Sequence, residues 1–246
     1  MYPKLDESVL NCRSAAALLL LGYTPFALAD GVVVDKVYDP YVQPLETEIE
    51  WRAVALRDDE DESLDSLQLH RLGLGRSFSD RWFGEVYLIG ERNEDESFRL
   101  QGVELEAKWQ LTEQGEYAAD WGLLFELEKE RDGDEWEAAT TLLVAREWGR
   151  WVGTANLAAI YEWGDDIDNE LESQLRMQAR YRLSEAFEPA VELYAGQDTL
   201  GIGPVARGLQ RLSGARQFYW ELGLILGVTD ESPDQTLRLL VEYEFY

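Results

Sequence analysis

From Leu45 onward, apolar and polar residues alternate with a period of two. In the stretch 47–54, Ile49, Trp51 and Ala53 share one face while Glu48, Glu50 and Arg52 share the other, the pattern of a two-faced β-strand. Val103, Leu105, Ala107, Trp109 and Leu111 repeat it against Glu104, Glu106, Lys108 and Gln110. So do Leu171, Leu175, Met177, Ala179 and Tyr181 against Glu172, Gln174, Arg176, Gln178 and Arg180. Stretches 117–127, 136–144 and 151–163 are less strictly alternating, but their Trp, Tyr, Thr and Val content predicts strands. Weaker strands are expected over 67–77, 82–90, 189–197, 202–212 and 217–226, and a clear one over 236–245. About twelve strands of roughly ten residues nearly exhaust the chain after residue 45, so a second domain has no room.

The connections alternate too. The first, third, fifth, seventh and eleventh are polar and rich in acid, as in 58–62, 93–96, 130–134, 165–170 and 230–234, whereas 79–81, 148–150 and 213–215 are shorter and less acidic. In an up-and-down meander alternate connections lie at the same end, which predicts one strongly anionic rim.

Charge and composition narrow the function. The 246 residues carry 49 Asp and Glu against 22 Lys and Arg, a formal charge of -27. Such a surface lacks the cations that displace counterions from phosphates, so nucleic acid is not an expected partner. Aromatics make up 12% of the chain, too many for a disordered acidic tail. One Cys and one His exclude zinc ribbons, disulfide scaffolds and Cys/His dyads, and with 2 Met they disfavour copper handling. No metal or other cofactor is expected. Residues 1–29 combine Lys4 and Arg13, an apolar stretch 15–21 and the small-x-small sequence Ala27-Leu28-Ala29, the layout of a secretory signal peptide; Cys12 has no lipoprotein context. No other apolar run reaches the ~18 residues of a spanning helix.

Period two does not say which face is inside, since lipocalin-type and membrane barrels share it. Strand length fits a tilted bilayer crossing, and Trp109, Trp136, Trp151, Trp163 and Tyr181 fall near strand ends, where interfacial girdles form. At the C-terminus, Leu237, Leu239, Val241, Tyr243 and Phe245 alternate to the end, and Leu240-Val241-Glu242-Tyr243-Glu244-Phe245 resembles the terminal signal strand of Gram-negative outer-membrane β-barrels. The hairpin 227–237 is similar to that of transporter-like, porin-like proteobacterial barrels. The resemblance implies an all-β fold, a transmembrane antiparallel up-and-down barrel of about twelve strands in the cell outer membrane. It further implies lipid and lipopolysaccharide as surroundings, and an assembly machinery that reads a closing aromatic among Tyr243, Phe245 and Tyr246. The expected organisation is a signal peptide over 1–29, a periplasmic segment over 30–44 and the barrel over 45–246.

With the apolar faces toward lipid, Glu48, Glu50, Arg52, Glu104, Glu106, Lys108, Arg176, Arg180, Arg182, Arg238 and Glu242 become lumen-lining candidates. His70 is expected in the lumen or at its rim, and Leu69-His70-Arg71-Leu72 matches none of the motifs of barrel hydrolases, so no catalytic residue is assigned. The leading expectation is a passive channel for small solutes. The alternatives are a structural or surface-binding barrel with acidic loops and a plugged lumen, and a secreted soluble barrel that binds a ligand.

Overall fold

The computed structural model describes residues 33–58, 66–92, 97–165 and 167–246. The expected signal peptide, with Cys12, and acidic residues 59–62, 93–96 and 166 lie outside the described residues. The strands are β1 (Thr47–Arg57), β2 (Gln68–Ser77), β3 (Trp82–Arg92), β4 (Arg99–Gln110), β5 (Asp120–Glu130) and β6 (Trp136–Trp148). They continue as β7 (Trp151–Trp163), β8 (Glu170–Tyr181), β9 (Glu188–Ala195), β10 (Leu200–Arg211), β11 (Arg216–Gly227) and β12 (Gln235–Phe245). Each pairs antiparallel with its sequence neighbours, and β1 pairs with β12 from Thr47 opposite Phe245 to Arg57 opposite Gln235, closing the barrel. Closure leaves no open edge, so every strand has a ladder partner on both sides.

The alternation sets the faces. Leu105 is 50% exposed while its neighbour Glu104 is 4% exposed, so apolar side chains point out and charged ones point in. Trp51, Leu72, Leu88, Leu157, Met177 and Leu237 share the outer surface. An apolar band of this kind needs hydrocarbon as its solvent. Aromatic pairs mark both ends: Trp82 stacks on Trp109 and Trp151 meets Tyr181 edge-on at one, and Trp136 and Tyr161 stack on Trp163 at the other.

Two strands differ from expectation. β5 starts at Asp120 rather than Tyr117, because a turn around Gly115, at φ +76°, hydrogen-bonds its amide to the Asp120 carboxylate and keeps Tyr117 in the connection. β6 runs on to Trp148, and with Gly149 at φ +64° a two-residue turn joins it to β7. His70 also needs correcting. Leu72 and Leu74 set the outward face of β2, and His70 shares it, stacked on Trp51 at 5.9 Å rather than in the lumen.

Residues 30–44, expected on the periplasmic side of the barrel, are the larger revision. Residues 33–46, here the strap, run through the lumen beside Gly196 and Thr199 at one end and reach Ser77 at the other, where Leu45 (φ 66°) reverses the chain into β1. Pro40 comes within 3.0 Å of where a Cβ on Gly122 of β5 would project, so the glycine gives the strap a close approach to that wall.

Candidate functional site

The strap has no sheet edge to join, so wall side chains satisfy its main chain. Asn156 of β7 accepts from the Tyr38 amide at 2.7 Å and donates back to the Tyr38 carbonyl at 2.9 Å. Gln110 of β4 accepts from the Val42 amide at 2.7 Å, and the Tyr194 hydroxyl of β9 donates to the Asp35 carbonyl at 2.5 Å. The Ser77 hydroxyl donates to the Gln43 carbonyl at 2.5 Å. Buried amides and carbonyls left unpaired are costly, so these contacts decide where the strap can lie.

Its charged side chains meet a wall of the opposite sign. The Asp35 carboxylate lies 2.5 Å from Arg52, 3.4 Å from Arg71 and 3.6 Å from Arg176. Lys36 pairs with Glu50 at 2.6 Å and with Glu242. Asp39 accepts from Thr154 at 3.0 Å and lies 3.4 Å from Arg180 and 3.8 Å from Arg207. The Tyr38 hydroxyl donates to Glu106, and the Tyr41 hydroxyl to Asp120, each at 2.7 Å. Burial alone would raise the Asp35 carboxyl's pKa, but its three arginines outweigh that and hold it well below the usual carboxylate range. Asp39 likewise falls to about 2, burial opposing and Arg180 and Arg207 prevailing. Apolar strap residues add to the hold: Val34 and Val37 pack with Ala190, Tyr194, Val205 and Ile225, and Tyr38 packs with Leu124 and Leu143.

The lumen candidates divide into groups. Glu48, Glu50, Arg52, Glu104, Glu106 and Lys108 point inward from the β1 and β4 walls, with Lys108 5.4 Å from the Phe83 ring centre. Arg176 and Arg180 do so from β8, and Arg238 and Glu242 from β12, the strand paired with β1. Arg182 sits just past β8 and pairs with Glu147 at 2.5 Å. Arg238 is fully buried between Glu192 at 2.7 Å and Glu221 at 2.8 Å. Arg176 and Arg180 meet strap aspartates, so Glu48 and Glu50 are not their partners. Of the three C-terminal aromatics, Tyr243 and Phe245 point outward with ring centres 6.0 Å apart, whereas the Tyr246 hydroxyl accepts from Gln217 at 2.8 Å.

Sequence reasoning missed Asp35, Lys36, Tyr38 and Asp39, and their wall partners Arg71, Asn156 and Arg207. The available signal was the run Val33-Val34-Asp35-Lys36-Val37-Tyr38-Asp39, too apolar for a solvated linker. A cavity of about 430 Å³ remains inside the barrel at the end where β1 begins, bordered by Lys36, Asp39, Glu46, Glu48, Arg180 and Arg207.

No family model matches the chain, and no curated protein matches it in sequence. Its fold is similar to that of an outer membrane channel from Pseudomonas putida F1, at 15% identity and a TM-score of 0.58, covering 86% of this chain and 99% of that one. It is also similar to the KdgM porin, at 13% identity and a TM-score of 0.50, with coverage of 81% and 98%. That porin in complex with disordered oligogalacturonate gives 11% identity and a TM-score of 0.53 over the same shares. The chain therefore has the closed antiparallel barrel fold of outer-membrane channels and porins.

Proposed function

We propose that this protein is a porin-like outer-membrane channel for small solutes whose lumen is closed by its own strap. The observation that carries the reading is the chemistry of the strap's contacts: ion pairs and side-chain hydrogen bonds to a charged wall, rather than a continuous apolar core. Buried ion pairs are close to neutral against their hydrated state, so a wall of this kind can exchange the strap for water at small net cost. A purely apolar interior could not. The KdgM porin has been solved with oligogalacturonate, a polyanion. Here the acidic wall and acidic connections favour neutral or cationic solutes instead.

The alternative reading is a permanently plugged structural barrel, favoured by the apolar packing of Val34, Val37 and Tyr38. Single-channel recording separates the two. The full chain should show rare openings, and a chain lacking residues 33–43 should conduct steadily. A folded full chain that never opens, beside a strap-less barrel that conducts, would establish the plugged reading.

A further inference from the structure

Strand β2 carries glycine at two inward positions. Gly73 lies between Glu50 of β1 and Tyr87 of β3, and Gly75 lies between Glu48 and Glu85. Strands two apart in a sheet are roughly 9–10 Å from each other, so a side chain on the strand between would hold their carboxylates apart. Glycine removes that spacer. The position of a Cβ on Gly73 is taken by the Glu85 carboxylate and the Tyr87 ring, and that of Gly75 by Phe83 with the Glu48 stem close by. As a result, carboxylate oxygens of Glu48, Glu50 and Glu85 lie within 4.8 Å of one another, all three buried.

The charge there is not balanced among the described residues. Glu50 has Lys36 at 2.6 Å and Arg52 at 3.1 Å, but Lys36 is shared with Glu242 and Arg52 with Asp35. Glu48 and Glu85 have no ion-pair partner among the described residues. Among the described residues the Glu85 Oε1 atom and the fully buried Tyr87 hydroxyl have no hydrogen-bond partner. Buried charges and polar groups in that condition are costly unless something neutral or cationic meets them.

We propose that Glu48, Glu50 and Glu85, with the Tyr87 hydroxyl, form a binding site for a hard divalent cation of the Ca²⁺ class. Oxygens on opposite sides of Ca²⁺ stand about 4.8 Å apart, so carboxylate oxygens that all lie within that distance of one another can share one ion, and Ca²⁺ accepts the irregular geometry that Mg²⁺ resists. The cavity reaches Glu48 from the barrel end and supplies the entry path. The site belongs to the wall itself, so binding does not depend on whether the lumen conducts.

The test uses the refolded full chain in zwitterionic detergent, with folding checked by heat-dependent gel mobility. Calorimetry should find a saturable Ca²⁺ site, and Tb³⁺ bound there should luminesce through Tyr87 and be displaced by Ca²⁺. Glu85→Gln should weaken binding at least tenfold, and Gly73→Ala, which fills the cradle, should abolish it. Tyr87→Phe removes one oxygen from a wall otherwise unchanged; it should weaken binding severalfold and extinguish the sensitised signal. Glu185→Gln, at the exposed rim, should leave all of this unchanged. Absence of saturable binding would overturn the proposal, as would an affinity indifferent to both Glu85→Gln and Tyr87→Phe; the carboxylates would then be neutralised by protons and any bound ion would sit on the loops.

Discussion

Asp35→Asn is the sharpest probe of the strap. The substitution keeps the side chain's shape and removes the one carboxylate that faces Arg52, Arg71 and Arg176 together. Removing one partner of a buried ion pair costs about 3–5 kcal/mol. Arg52 keeps Glu50 at 3.1 Å, and Arg71 keeps Glu104 at 3.2 Å and Glu128 at 3.5 Å. Arg176 keeps a hydrogen bond to Gln174, at 3.1 Å. The loss therefore falls at the low end, about 3 kcal/mol. With the strap out, all three guanidiniums are hydrated in either protein, so this loss belongs wholly to the docked state. At about 1.4 kcal/mol per factor of ten, the docked-to-released ratio should fall by about a hundredfold. Planar-bilayer recording reads that ratio as open probability, which should rise by the same factor while unitary conductance stays constant. A folded Asp35→Asn barrel with the wild-type open probability would refute the idea that these pairs hold the gate.

Acid should act in the same direction. Asp35 and Asp39 titrate below their unfolded value of about 3.9, so their contribution to docking is complete above that pH and lost as pH falls toward the Asp39 value of about 2. Through these two groups open probability should climb as pH falls below about 4; an open probability unchanged between about pH 5 and 2 would contradict the assignment. Leu105→Arg, on the outer face of β4, should lower folding stability in lipid vesicles by about 2–4 kcal/mol, measured by urea titration, if this position lies near midplane. An epitope inserted at Ser232 should be reached by antibody on intact cells, because an even-stranded barrel with both ends on the periplasmic side sends its odd-numbered connections outward; labelling only after permeabilisation would reverse the topology. Reversal potentials across a salt gradient should show the opened lumen to be cation-selective; an anion-selective open state would mean that Arg176, Arg180 and Arg207, uncovered once the strap leaves, govern permeation instead.

The barrel was legible in the sequence because its information is local and repeated. Each strand states its own faces, and Glu48-Ile49-Glu50-Trp51-Arg52 needs no knowledge of its neighbours to be read as in-out-in-out-in. Where the pattern blurs, in β2, the glycines are the cause: Gly73 and Gly75 leave the inward face without side chains, and His70 follows Leu72 outward. The strap was not legible because its contacts are distant ones. Asp39 and Arg180 stand 141 residues apart, Lys36 and Glu242 206, and neither end of such a pair carries a local mark of the other. For the same reason the sequence places Arg176 and Arg180 on one face of β8 without marking their partners, Asp35 and Asp39, which stand before the barrel begins.

The way the wall holds the strap's main chain has a bearing on how the molecule could be taken apart. Asn156, Gln110, Tyr194 and Ser77 grip amides and carbonyls that any residue would supply, and the side-chain pairs add selectivity at Asp35, Lys36 and Asp39. An empty barrel is thus a receptor for an extended peptide, with a main-chain clamp and three charge-reading subsites. The covalent link at Leu45 then contributes effective concentration rather than recognition. A peptide of residues 33–44 supplied from outside should re-close a barrel that lacks its own, making a two-part channel stopped by a soluble cork.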